Sequence, residues 1–352
     1  MIAGTTDNVA SKFKFTATNE DWTVDKLRIK LGTITNEGSV SKVSISYPGG
    51  TASGYLASGY VTFTGMNWVI EKDTYEILTV SADLAAIDAN VDATGREIAL
   101  DVACDVIDKC KATGSSMKVL GDDEVFTGGV AGYIAANTMY LRKSKPTVEK
   151  VALGSSQLLD GTKELFRFKV TADAAGAITL KKFAFDVTVS DNATASALTL
   201  NTWKLYDTAD MGTALPATWS NGAATSTDSS GLNLTNGAGN IYVYLTNEKE
   251  IAAGASKEFS LKAKVANSAQ YDSVSTALVN TNDTANREAK ILVAAGDGLW
   301  IAKVTGDTHT DFIWSDKAKG INHANAGTSA DWANGYLIKI LPTDTVSLVY
   351  PS

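Results

Sequence analysis

The stretch FRFKVTADAAGAITLKKFAFDV, Phe166–Val187, decides the fold because a close variant of it occurs earlier in the chain. The earlier copy is FKFTATNEDWTVDKLRIKL, Phe13–Leu31. In both copies apolar residues alternate with polar ones, a polar turn follows, and a second alternating run begins. Alternation with a period of two is the pattern of a half-buried β-strand. Each copy therefore predicts two strands joined by a turn.

The similarity between the two halves continues along the chain. The apolar residues of 78–84 match those of 259–265, and the segment 94–103 matches 285–294. In the last pair, Arg96 and Glu97 align with Arg287 and Glu288. Matches that keep their order over so long a span are hard to obtain by chance. We infer two homologous modules in tandem, with short strands and frequent turns of the kind an antiparallel sandwich requires.

The predicted fold class is all-β, with two tandem Ig-like antiparallel β-sandwich domains and a C-terminal β-rich extension. We place the first module at residues 1–145, the second at 146–305 and the extension at 306–352. The boundary follows Lys145 because Pro146 has no backbone donor for a sheet ladder and the neighbouring charges keep the link solvated. We expect the extension, which lies outside the repeat, to pack on the second module or on a neighbouring subunit.

Composition limits the classes of partner. The 352 residues carry a formal net charge of −8 without a basic cluster, which disfavours binding to nucleic acid. The sequence has no run of 18 apolar residues, so we expect no membrane span. The opening MIAGTTDN has neither the basic nor the apolar region of a secretory signal. A chain rich in Ala, Gly, Ser, Thr and Asn nevertheless favours the mature part of an exported protein over a cytosolic one.

The two cysteines, Cys104 and Cys110, lie close together in CDVIDKC. This spacing predicts a local disulfide of structural role in an exported protein, with two buried thiols as the alternative. A metal site is disfavoured because it normally needs four ligands, and the sequence has neither a CxxC motif nor a histidine nearby.

Other candidate chemistry is weak. Ser315, Asp316 and His323 suggest a hydrolase trio, but no strained GxSxG turn precedes the serine. Acidic clusters at 18–21, 120–124 and 207–212 match no EF-hand pattern, so we interpret them as solvated turns and keep a calcium ion in one loop as the alternative. We therefore predict no catalytic residue, no cofactor and no metal-binding residue.

Two features bear on glycans. The seven tryptophans, among them Trp314 and Trp332, would form a sugar-stacking platform only if several shared one exposed face, and most fit strands of the core instead. Sequons occur at Asn192, Asn233 and Asn282, in segments that we interpret as loops. A surface glycan is therefore an alternative partner and glycosylation an alternative modification.

The C-terminal motifs FIWSD (312–316), DWANGY (331–336) and LP (341–342) provide a resemblance. They are similar to the C-terminal signature of secreted S-layer-like cell-surface proteins from candidate-phyla (Patescibacteria-type) bacteria, which carry tandem Ig-like modules. The resemblance implies an extracellular location and a modular β architecture, and it transfers no catalytic residue. The chain departs from anchored surface proteins in lacking a visible S-layer-homology repeat.

Together these features predict a non-enzymatic extracellular structural protein that self-assembles into a surface layer or filament. The alternative is a cell-surface adhesin or carbohydrate-binding module. The first module lacks a counterpart of the segment that precedes Phe168 in the second, which indicates either that an upstream segment has been removed or that a strand from another subunit replaces it. Val346, Leu348 and Tyr350 alternate as such a donor strand should, so they are the candidate subunit contact. The alternative is that both ends of the chain pack on their own modules.

Overall fold

Strand pairing organises nearly all of the chain that the structure describes. A computed structural model describes residues 1–87, 94–104, 109–116, 119–120, 133–192, 196–221, 225–279, 312–318, 332–335, 338, 341–342 and 344–351. The chain divides into two units, Met1–Lys143 and Ser144–Ser352. Each consists of antiparallel sheets around its own core, which confirms the predicted all-β sandwich class.

Unit 1 is built on two main sheets. Its elements are β1 (Asn8–Thr16), β2 (Trp22–Leu31), a 3-10 helix (Ile34–Ser39), β3 (Val40–Tyr47), β4 (Gly50–Gly54), β5 (Tyr60–Ile70), β6 (Tyr75–Leu84), β7 (Glu97–Ile98), β8 (Leu100–Ala103), β9 (Lys111–Gly114), β10 (Val119–Leu120), β11 (Tyr133–Ile134) and β12 (Met139–Tyr140). One sheet has the order β1-β6-β3-β4. The other is centred on β2, with β5 on one side and both β8 and β9 on the opposite side.

Unit 2 repeats this plan with additions. Its elements are β13 (Pro146–Lys150), β14 (Gly161–Ala172), β15 (Ile178–Ser190), β16 (Thr199–Asp207), β17 (Ala217–Ser220), β18 (Thr225–Ser226), a 3-10 helix (Ser229–Gly231), β19 (Gly237–Ile251), β20 (Ser256–Ala266), β21 (Ser273–Leu278), β22 (Ile313–Ser315), β23 (Trp332–Asn334) and β24 (Val346–Val349). One sheet has the order β13-β14-β20-β16. The other is centred on β15, with β19 on one side and both β21 and β22 on the opposite side.

The repeat extends to the register of the strands. Phe13 of β1 lies opposite Leu78, and its counterpart Phe168 lies opposite Phe259. The ladder shifts at Ala10 in β1 and at the matching Leu165 in β14. An irregularity of this kind re-aims the strand. Its presence at the same place in both copies makes β1 and β14 structural equivalents.

One expected match is wrong. We aligned 94–103 with 285–294, but β8 pairs Val102 with Ile29, and the strand that occupies this place in unit 2 is β21, which pairs Leu278 with Phe185. The segment 285–294 lies outside the described residues. Similar residues around Arg96–Glu97 and Arg287–Glu288 suggested that the two segments are equivalent, but strand pairing makes β21 the equivalent of β8.

The expectation that the C-terminal residues lie outside the repeat also needs correction. β22 pairs with the start of β15 just as β9 pairs with the start of β2, and β23 follows β22 as β10 follows β9. β24 pairs with β21, the counterpart of β8, which pairs with β11. The described parts of 306–352 thus complete the second copy of the repeat. Sequence missed this because residues 279–312 separate β21 from β22.

Each unit has one main core at the interface of its sheets. In unit 2, Phe168 contacts Phe183, Phe185 and Phe259 at centroid distances of 5.3, 6.0 and 5.3 Å. In unit 1, Trp68 contacts Phe15 at 4.9 Å. Such aromatic pairs add to the stability that burial provides.

A core truncation should affect one unit. Leu27→Ala, at a position with 0% exposure in β2, should lower the free energy of unfolding of unit 1 by about 3 kcal/mol, because it removes buried methyl groups and leaves a cavity. Denaturant unfolding of the full chain measures the change. Tyr55→Ala, at a 75% exposed position, is the control and should change the stability by less than about 0.5 kcal/mol. Equal effects of the two variants would contradict this core.

Candidate assembly edge

The two units differ at the outer edge of one strand. In unit 2, β13 lies antiparallel on β14, with Val148 opposite Val170 and Glu149 opposite Lys169. The pairing is extended at its two ends, where Val151 N donates to Arg167 O at 2.9 Å and Asp173 N donates to Lys145 O at 3.0 Å. β14 therefore has neighbours on both sides, β13 and β20.

The equivalent strand in unit 1 has a neighbour on one side. β1 pairs with β6, and among the described residues no strand pairs with its other edge. Ala17 N donates to Thr74 O at 3.0 Å, on the β6 side. Because backbone groups alternate in direction along an antiparallel strand, those of Lys12, Lys14 and Thr16 point to the open side. Unpaired groups of this kind are a template for another strand.

The core beneath this edge is less well covered than in unit 2. Phe13 and Phe15 keep 6% and 7% of their surface exposed, whereas their counterparts Phe168 and Val170 keep 0%. Val148 of β13, itself 3% exposed, belongs to the core of unit 2. The difference is what a missing edge strand predicts, since an inward-facing residue of that strand would cover the same part of the core.

The outer face beside the edge differs in chemistry. In unit 2 it carries an ion network in which Arg167 donates to Glu164 at 2.8 and 3.0 Å and pairs with Glu258 at 3.4 Å. The hydrogen bond with Glu164 raises the pKa of Arg167 and so favours its charged form. By register, the counterparts of these two glutamates in unit 1 are Val9 and Ile77.

The outer face of this part of unit 1 carries three exposed apolar side chains, those of Val9, Tyr75 and Ile77, spaced along the β1 and β6 ladder. They are 51%, 56% and 38% exposed, and they lie on β1 and β6 beside the open edge. Lys14 lies over the Tyr75 ring at 4.1 Å. Among the described residues neither Lys12 nor Lys14 has an acidic partner, whereas Lys169 pairs with Glu149 of β13 at 2.7 Å. The edge combines unpaired backbone groups, apolar surface and cationic side chains.

In the described part of unit 1, β5 also has a neighbour on one side only, for a different reason. Its counterpart β19 is covered by β17, but in unit 1 the corresponding β4 forms a tight hairpin with β3 and so joins the other sheet. Gly65 and Asn67 have positive φ angles of 67° and 48°, so the backbone of β5 is irregular at this point. Such irregularity protects an edge against further pairing. The β1 edge is therefore the better candidate.

The predicted donor segment lies in its own unit. β24 pairs Leu348 with Val274, and Leu348 is 1% exposed within the core of unit 2. Val346 packs against that core, and Tyr350 N donates to Asp272 O at 3.0 Å. Donation of this segment to another subunit would therefore require it to leave an existing sheet. Its role as a subunit contact stays a prediction.

The two cysteines are joined to each other. The Cα atoms of Cys104 and Cys110 are 5.4 Å apart and both residues are buried. The bridge closes the connection between β8 and β9. In unit 2, Phe312 precedes β22 as Cys110 precedes β9, and it packs on Phe183 at 5.3 Å. The two units thus hold the same strand junction by different means.

The tryptophans do not form an exposed platform in the described residues. Trp314 and Trp332, which we named as candidates for sugar stacking, are both 0% exposed. Trp68, Trp203 and Trp219 are also buried, and Trp22 is half-buried. The sequence interpretation as core residues therefore fits the described tryptophans better than sugar stacking does.

The remaining candidates do not come together as a catalytic or metal centre in the described residues. Ser315 and Asp316 are buried, and their side chains accept backbone hydrogen bonds from Lys317 at 3.0 Å and Ala318 at 3.2 Å. His323 lies outside the described residues. Within the described part of the chain, no group of three or more His, Cys, Asp or Glu side chains could hold a metal ion.

The described acidic clusters are engaged in local contacts. Glu20 accepts from Ser116 N at 2.6 Å, and Asp207 pairs with Lys249 at 2.8 Å and Lys257 at 3.2 Å. These carboxylates hold turns and neighbouring strands in place. Residues 121–124, which contain the third cluster, lie outside the described part of the chain.

The two described sequon asparagines, Asn192 and Asn233, are both exposed. Asn192 donates its side-chain amide to Tyr271 O at 2.7 Å, and Asn282 lies outside the described residues. No helix in the described part of the chain is long and apolar enough to cross a membrane.

Comparisons with known proteins give no family. No protein-family model and no curated protein sequence matches the chain. Solved structures give weak likenesses. The serine-rich repeat protein Srr2 from Streptococcus agalactiae has a TM-score of 0.16 and 11% identity, over 78% of this chain and 80% of that one. The secreted serine protease VesC from Vibrio cholerae has a TM-score of 0.18 and 9% identity, over 75% of this chain and 48% of that one.

A third likeness is to the M60 catalytic domain with two CBM51 domains of ZmpB from Clostridium perfringens, with a TM-score of 0.14 and 11% identity. It covers 72% of this chain and 31% of that one. The chain thus spans less than half of VesC and of ZmpB. Likenesses at these scores carry no argument about function, which depends here on the residues of the chain itself.

Removal of the disulfide should weaken unit 1. The double variant Cys104→Ala/Cys110→Ala should lose about 2 kcal/mol of unfolding free energy, because the bridge restricts a short loop of the unfolded chain. Denaturant unfolding measures the loss. Intact mass before and after reduction supplies the control, since two free thiols in the native protein would contradict the bond.

Proposed function

We propose that the chain is a non-catalytic extracellular structural protein that assembles with further copies of itself into a surface layer or filament. The observation that carries the proposal is the open outer edge of β1, because the equivalent edge of β14 is covered by β13. An added strand would gain main-chain hydrogen bonds along the edge and cover the small part of Phe13 and Phe15 that remains exposed. Strand addition between copies is therefore the contact that we propose.

An open edge of this kind determines the type of assembly. A strand given by one copy to β1 of the next joins two different surfaces, so the contact is heterologous. Heterologous contacts continue as a filament or close as a ring, depending on the rotation between copies. A lattice requires a second contact in addition to this one.

The disulfide supports the extracellular location. Bonds between cysteines persist in oxidising compartments and are rare in the cytosol. The C-terminal motifs resemble those of secreted S-layer-like proteins of candidate-phyla bacteria, which agrees with this location. We propose that the chain comes from this group of surface proteins. Self-assembly also accords with the exposed apolar side chains of Val9, Tyr75 and Ile77, because apolar surface beside an open edge favours association.

The proposal predicts that blocking the edge prevents assembly. Lys14→Pro removes the backbone donor that points to the open side and leaves the ladder with β6 intact, since the Lys14 N–H does not take part in that ladder. We expect native protein to form filaments or sheets in electron micrographs and to sediment as large species. Lys14→Pro should remain monomeric under the same conditions.

Two further variants complete the test. Lys14→Ser removes the same side chain and keeps the backbone donor, so it should assemble more readily than Lys14→Pro. Tyr55→Ala alters an exposed residue away from β1 and should assemble like the native protein. If native protein stays monomeric at every concentration tested, the proposed function is wrong.

A further inference from the structure

The contacts between β13 and β14 describe what the open edge of β1 should bind. β14 and β1 are equivalent in register, in the position of the bulge and in their pairing with β20 and β6. The strand that covers β14 is therefore a template for an occupant of β1. β13 already has its place on β14, so an occupant of β1 must be a further strand of the same kind.

The inner side of the template requires an apolar residue. Val148 lies opposite Val170 and is 3% exposed in the core of unit 2. The counterpart of Val170 is Phe15, which keeps 7% of its surface exposed. An apolar side chain opposite Phe15 would therefore enter the core of unit 1 at this place.

The outer side of the template requires an acidic residue. Glu149 lies opposite Lys169 and pairs with it at 2.7 Å. The counterpart of Lys169 is Lys14, which is exposed and has no acidic partner in the described part of the chain. An opposite charge directly across two strands stabilises their pairing, and a like charge opposes it.

We propose that β1 binds an extended polypeptide segment of the β13 type, antiparallel to β1, with an apolar residue opposite Phe15 and, next in sequence, an acidic residue opposite Lys14. The backbone groups of Lys12, Lys14 and Thr16 supply the ladder. The inference shares its acceptor edge with the proposed function, but it does not require the donor to be a copy of this chain.

The C-terminal strand fits this description less well. If Leu348 took the place of Val148 opposite Phe15, Val349 would lie opposite Lys14, where the template has an acidic residue. The apolar alternation of this segment is suitable, but its charge is not. Charge complementarity therefore favours a β13-type donor over the C-terminal segment.

Two peptides test the inference with the full chain. The first is residues 145–155, KPTVEKVALGS, and the second is residues 344–351, DTVSLVYP. Fluorescence polarisation of labelled peptide measures binding. We expect the first peptide to bind more tightly than the second. Lys14→Pro should weaken its binding about tenfold relative to Lys14→Ser, since one main-chain hydrogen bond is lost.

A charge exchange tests the register. Lys14→Glu should weaken binding of the first peptide by roughly three- to tenfold, and the same peptide with Glu149→Lys should restore it. The charge exchange also tests the inference if Lys14→Pro fails to fold. Lys169→Glu is the matched control, because it alters the equivalent lysine in unit 2 and should leave binding at β1 unchanged.

The possible results separate this inference from the proposed function. Peptide binding that depends on Lys14, in a chain that stays monomeric, would support the inference and contradict self-assembly. Assembly with peptide binding that is insensitive to Lys14→Pro and to Lys14→Glu would support self-assembly and overturn the inference. Tighter binding of the second peptide, or a loss of binding in Lys169→Glu alone, would also overturn it.

Discussion

A β-strand has hydrogen-bonding groups along two edges, and the protein satisfies this constraint differently in its two units. β14 lies between β13 and β20, whereas β1 has β6 on one side and, among the residues that the structure describes, an open edge on the other. The side chains around the two strands differ accordingly. The covered strand has a network of ion pairs on its outer face, and the open strand has Val9, Tyr75 and Ile77. A surface that stays in contact with water is expected to carry charged side chains, as the outer face of β14 does.

The fourth strand of each unit shows how a loop decides the partner of a strand. In unit 1, β4 follows β3 after a tight turn at Pro48 and Gly49, where Gly49 has a φ of 89°, and the two strands pair as a hairpin. In unit 2, residues 208–216 separate β16 from β17, and this longer connection lets β17 pair with β19 in the other sheet. Equivalent strands therefore cover different edges.

The sequence predicted those parts of the fold that depend on local patterns. Alternation around Phe13 and Phe168 identified the paired strands, and the spacing of Cys104 and Cys110 suggested their bond. It did not predict partners that depend on distant segments. The match of 94–103 to 285–294 failed because similar letters do not determine pairing, and β22 was missed because a long segment separates it from β21.

The candidate edge was visible in part from sequence. The repeat identified β1 and β14 as equivalent strands, and the structure shows that, among the described residues, only β14 of the two has a neighbour on both sides. The sequence did not show that Lys169 has an acidic partner while its counterpart Lys14 has none in the described residues. That difference depends on the register that brings Glu149 opposite Lys169.

The junction between β8 and β9 also shows how much added chain the sandwich tolerates. A short bridged loop spans it in unit 1, and residues 279–312 span the same junction in unit 2 without displacing the strands on either side. Loop-closure entropy grows only with the logarithm of length, so a flexible insertion of about 30 residues at this junction of unit 1 would cost about 1.5 kcal/mol. The position after Cys104 is therefore a natural insertion point, where foreign peptides could be displayed on unit 1 with its sheets preserved.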